Sequence, residues 1–165
     1  MQGTTANPAV AAAEQRQLDI VMTPHGFLKA ALAGNPTAVT RPQGNRKATI
    51  VSFTALGKYK VNGTINDQNQ VELVQTWIAH PVLGDTLYET RYTEYKDFAG
   101  VKFPTVLHSH YGDVRLNQGH NVQEIRVTNV QPNVAIAALA VPDNVRKASI
   151  APVRAESQKL ADGVW

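Results

Sequence analysis

The sequence predicts an α+β fold, with N-terminal helical segments packed on one strongly curved antiparallel sheet, a meander of about six strands. Three observations lead there. The apolar period changes from helical to two-residue alternation near residue 48. The alternating stretches beyond that point are separated by short Gly, Asn and Asp turns. Such connections leave no room for the helical crossovers a parallel sheet requires.

Residues 1–16 are small and polar and read as a flexible leader, followed by a main domain over 17–142. "AAAEQRQLDIVM" (11–22) has helical spacing, with Leu18, Val21 and Met22 on one side. In "TPHGFLKAALAG" (23–34), Thr23 is placed as N-cap, Pro24 at the first helical position and Gly34 as the stop. Phe27, Leu28, Ala31 and Leu32 would form its apolar stripe. Residues 35–47, rich in turn formers, read as a loop.

The strands follow: 48–55, 58–66, 70–78, 86–95, 102–113 and 121–130. Leu56-Gly57 joins the first pair, Asn66–Asn69 turns the chain after the second, and Ala99-Gly100 turns it before the fifth. Alternation puts Tyr59, Val61 and Ile65 on one face, opposite Lys58, Lys60, Asn62 and Thr64. On the fifth strand, Phe103, Leu107 and Tyr111 share a face opposite His108 and His110.

A chain of 165 residues can bury roughly 70% of its unfolded surface, so its core needs no staples. The lack of cysteine removes disulfides, thiolate metal sites and Cys nucleophiles together. Net charge is +3, and no basic block interleaved with aromatics supports a nucleic-acid partner. No apolar run is long enough for a membrane-spanning helix. The first residues do not read as a signal peptide, so any export signal would lie upstream; the expected compartment is periplasmic or secreted.

"HSHYGD" (108–113) invites a metal reading. Residues i and i+2 of a strand face the same side, so His108 and His110 could share a zinc, with His120 or Asp113 as a third ligand. The spacing departs from the H-x-H-x-D-H zinc signature, however: two residues separate His110 from Asp113, and Val114 follows it. The simpler expectation is a half-exposed polar strand face, with no metal ligands and no cofactor in this chain. Replacing His108 and His110 would then leave stability nearly unchanged. No catalytic residues are assigned. Ser52 and Ser109 lack a G-x-S-x-G elbow, no phosphate-binding glycine loop occurs, and Glu89 and Glu94 fall on opposite strand faces. His25 reads as a surface or capping residue.

"YTEYKDFAGVKFPT" (92–105) resembles a pattern of outer-membrane lipoprotein carrier-like proteins, which are half-barrels with helices across the concave side. Together with "TPHGFLKAAL", "VNGTINDQNQVELVQTWI", "PVLGDTLYETR" and "ESQKLADGVW", it is similar to the N-terminal domain of a bacterial family of metallo-β-lactamase-fold hydrolases. The resemblance spans about residues 17–165. It implies that 143–165 is a linker and the beginning of a hydrolase domain, which would carry the zinc.

Three functions follow as expectations. The first is a non-catalytic accessory domain that shapes substrate access, holds a homodimer or binds an apolar ligand. The second is a free-standing carrier of a lipid or other hydrophobic small molecule, and the third is a small enzyme using His108, His110 and His120. Trp77, Tyr88, Tyr92 and Phe98 are the candidate lining of an apolar pocket, though aromatics at strand spacing also serve as core. Trp165 is expected to pack on the partner hydrolase domain, so the 143–165 tail should be the first site of proteolysis.

Overall fold

A computed structural model of the chain describes residues 9–113, 119–147 and 158–162. The chain divides into two units, one of residues 15–134 and one of 1–14 with 135–165. The larger unit holds the sheet. In the smaller, the described elements are the start of the first helix and a single helical turn at Asp143–Arg146. Pro152, Gly163 and Trp165, on which the linker and hydrolase-start expectations rest, lie outside the described residues.

Helix α1 spans Val10–Met22 and α2 spans Pro24–Ala33. The first begins inside the stretch expected to be a leader, because an Ala-rich run favours helix over coil. Thr23 accepts the Gly26 amide on its hydroxyl at 3.1 Å, Pro24 opens the helix, and the Gly34 amide closes it on Ala30 and Ala31 carbonyls. The corner between the helices is tight. A Cβ on Gly26 would lie 1.8 Å from the Ile20 carbonyl oxygen, so no larger residue fits there without moving α1.

The sheet has seven strands in sequential antiparallel order: β1 (Thr37–Gln43), β2 (Arg46–Ala55), β3 (Tyr59–Ile65), β4 (Val71–His80), β5 (Gly84–Phe98), β6 (Val101–Tyr111) and β7 (His120–Arg126). It is an open sheet, with β1 and β7 as its edges. β1 corrects the expectation of a loop at 35–47. Its β-branched residues pair in full register with β2, and Pro42 is tolerated because an edge strand has one unpaired side. The turns match their residues. Ala99-Gly100, between the paired Phe98 and Val101, has positive φ at both positions, the geometry of a two-residue hairpin turn, and Leu56 and Gly57 have positive φ within the three-residue connection from Ala55 to Tyr59. Asn66 Oδ1 accepts the amides of Gln68 and Gln70.

Helices cover part of one sheet face. Leu18 and Met22 of α1 and Phe27 and Ala31 of α2 are buried with Phe53, Val61, Val74 and Tyr92. Phe27 lies flat on Gly63, whose missing side chain makes the space: a Cβ there would be 2.1 Å from the ring. Burying such a ring contributes up to about 3 kcal/mol. Of the expected α2 stripe, Leu28 is partly exposed and Leu32 is 85% exposed, because the helix turns only its Pro24–Phe27–Ala31 edge inward. The Tyr92 hydroxyl donates to the Met22 carbonyl, satisfying an orphan group at the end of α1. The Tyr95 hydroxyl donates to Val71 O at 2.7 Å. A β-bulge opposite Thr64–Ile65 lets both Val71 and Val74 face the helices, although they are three residues apart.

Candidate functional site

The sheet face away from the helices is polar, and its register aligns the polar groups into rows. One row runs Ser52, Asn62, Gln75, Glu89, His110 and Asn121 from β2 to β7. The neighbouring row carries Ile50, Thr64, Leu73, Arg91, His108 and Glu124.

Glu89 is the centre of this face. It is 0% exposed, and His110 opposite it is 1% exposed. A carboxylate can only accept, so His110 Nε2–H donates to Glu89 Oε1. Gln75 Nε2 donates to Oε2 at 2.5 Å, and Arg91 Nη2 donates to Oε1 at 3.1 Å. Three donors from β4, β5 and β6 thus compensate one buried charge, the condition under which such burial is tolerated. Two further buried atoms, His110 Nδ1 and Arg91 Nε, have no hydrogen-bond partner among the described residues.

His108 and His110 do share a face, with ring centroids 5.6 Å apart. Their nitrogens are committed elsewhere: His108 Nε2 meets Asn121 Oδ1 at 3.1 Å, and His110 Nε2 meets Glu89. His120 pairs with Tyr111 and therefore lies on the helix-side face. The three histidines do not converge, and among the described residues no group of three or more His, Asp or Glu side chains is placed to hold a metal. His110 is not on a half-exposed face as expected. It is a buried partner of Glu89, so its replacement has a structural cost. His25 stacks on Phe103 at 5.5 Å, joining the start of α2 to β6.

The four aromatic candidates do not meet in one cavity. Tyr88 and Tyr92 line a small space of about 240 Å³ between α1 and the sheet, with Met22, Leu107 and Ile125. Burial disfavours the phenolate form and so pushes the pKa of both phenols, and that of Tyr95, above the ordinary value of 10.0. Trp77 sits on the polar face, two residues beyond Gln75, and is 60% exposed. Phe98 ends β5 opposite Val101, at the hairpin turn.

The larger concavity is on the polar face. It is a recess of about 800 Å³ floored by β2 to β5, and its lining includes Arg41, Arg46, Arg91, Asn62, Thr64 and Gln75. Glu72 and Glu94 are its carboxylates. Arg46 approaches Glu72 at 3.7 Å with half its side chain in solvent. Such a volume is within the range of small-molecule sites, whereas the helix-side space is below it. Sequence reasoning missed this face because alternation marks a polar face as solvated, without indicating that it is concave. No protein-family model, no curated protein and no solved structure matches the chain.

Proposed function

We propose that this chain is a non-catalytic, half-barrel-like binding domain that works beside a metallo-β-lactamase-fold hydrolase domain of an exported bacterial protein. The zinc and the bond cleavage belong to that hydrolase domain. This chain contributes a binding face that admits or holds part of the substrate. The observation that carries the reading is the 800 Å³ recess built on paired strands, a rigid floor rather than a loop surface.

The association with a hydrolase domain is supported by the set of motifs from "TPHGFLKAAL" to "ESQKLADGVW". Two features favour a polar ligand over the carrier of a hydrophobic molecule. The helix-side space is about 240 Å³, and the side chains between helices and sheet fill the rest of that layer. A metal-dependent enzyme built on His108, His110 and His120 is disfavoured by the opposite facing of His120.

The test is the reading frame beyond codon 165 in the native gene. An in-frame H-x-H-x-D-H within the following tens of residues supports the reading, and a stop codon directly after Trp165 contradicts it. In parallel, the purified chain is expected to leave β-lactam, phosphoester and thioester substrates unchanged. Turnover abolished by His110→Ala would restore the enzyme reading.

A further inference from the structure

Arg91 stands near the middle of the polar face, between Leu73 on β4 and His108 on β6. Its guanidinium is aimed, not free. Nη2 is held by Glu89, and Glu89 is itself fixed from behind by Gln75 and His110. The carboxylate is fully buried and is not part of the recess lining, whereas Arg91 is. Glu89 therefore acts as a positioning residue that presents the guanidinium to the recess. Arg91 Nε is buried and lacks an acceptor. Nε is covered by protein, so a ligand in the recess meets the exposed part of the guanidinium, the N–H groups that Glu89 does not use.

The rest of the lining defines what that ligand is. Arg46 and Arg91 each have a carboxylate neighbour, Glu72 and Glu89, so the charges around the recess balance and the anion preference rests on the exposed part of the Arg91 guanidinium and on Arg41. Arg41 is exposed and makes no ion pair among the described residues. Between the arginines lie neutral groups with capacity to spare. Asn62 Oδ1 accepts from Ser52, which leaves its amide hydrogens to donate. Gln75 donates to Glu89, which leaves its carbonyl oxygen to accept. Thr64 supplies a hydroxyl to the same floor.

We propose that the recess binds a polyhydroxylated anion, a sugar acid or sugar phosphate, with its anionic group on Arg91 and its hydroxyls on Asn62, Thr64 and Gln75. Arg41 supplies a further positive charge. A planar guanidinium pairs with carboxylate or phosphate through two parallel hydrogen bonds, which favours the anion over the neutral sugar.

The proposal rests on the reading of this chain as a binding domain. Glucuronate, glucose 6-phosphate, glucose and inorganic phosphate are titrated into the full chain, with calorimetry and the Arg91 Nε–H resonance as readouts. At least one sugar anion should bind, glucose should bind at least tenfold more weakly, and the Arg91 resonance should shift on binding. Which anion binds distinguishes the two sources. Arg91→Lys keeps the charge but loses the fork, and should weaken anion binding about tenfold. Should that variant fold poorly, Arg41→Gln, far less embedded, should weaken binding severalfold at an unchanged melting temperature. Failure of both sugar anions to bind overturns the proposal. So does equal binding of glucose, or binding of inorganic phosphate as tight as that of the sugar anions. Any of these leaves the reading-frame test untouched, so the two failures are distinguishable.

Discussion

Glu89→Leu removes the one acceptor on which the polar face is organised while keeping a similar volume, so the cost is that of the stranded donors. His110 Nε2 is buried and loses its only hydrogen-bond partner among the described residues, about 1–3 kcal/mol. Gln75 Nε2 is part-buried and loses a charge-assisted bond, about 1–2 kcal/mol. The Arg91 side chain is 37% exposed and can turn to water, so its loss is discounted to near zero. About 3 kcal/mol remains. With the 15–134 unit melting cooperatively, an unfolding entropy of about 0.25 kcal/mol/K converts this to a drop of about 12 °C. The assay is thermal and urea unfolding followed by circular dichroism. Glu89→Leu combined with His110→Phe replaces both main partners by apolar groups and should cost less than the two single variants added together. A loss below about 1 kcal/mol for Glu89→Leu, or strict additivity in the double variant, would refute the buried-cluster reasoning.

Gly63→Ala places a methyl 2.1 Å from the Phe27 ring and should destabilise by about 1–3 kcal/mol through overpacking, measured by urea unfolding. Ala99→Gly removes a strained positive φ of 52° from a hairpin turn and should stabilise by up to about 1 kcal/mol. Stability should fall as pH rises above 10.0, because Tyr92 and Tyr95 stay protonated in the fold while the unfolded chain ionises. The contribution is complete below that pH and is lost progressively above it, and Tyr95→Phe should flatten the alkaline slope in a pH series of unfolding curves. The purified chain should carry no stoichiometric zinc by elemental mass spectrometry, and His108→Ala should cost far less stability than His110→Ala.

Much of the fold was legible because local chemistry and tertiary structure agree. Thr23, Pro24 and Gly34 bracket α2 as their residue types require, and two-residue alternation located six of the strands. β1 was hidden because Pro42, Gly44 and Asn45 are turn formers, and only pairing with β2 makes the preceding residues a strand. The Glu89–His110 pair was more legible than it was read. A two-residue turn at Ala99-Gly100 sets residues ten positions out on either side opposite each other, which pairs Glu89 with His110. What could not be read was their burial, which depends on side chains from three strands, Gln75, Arg91 and His110, closing around one carboxylate. Pairing separates the candidate aromatics: Trp77 and Tyr88 are both strand residues of similar type, yet the register sends them to opposite faces.

The claim that the polar recess is the functional face is tested most directly by an NMR titration of the chain with glucuronate and glucose 6-phosphate, resolved residue by residue. Shifts should concentrate on Arg91, Arg41, Asn62, Thr64 and Gln75, with Leu18, Phe27 and Val61 of the helix-side core unmoved. Shifts confined to the helix-side residues Tyr88, Leu107 and Ile125, or none with either anion, would contradict it.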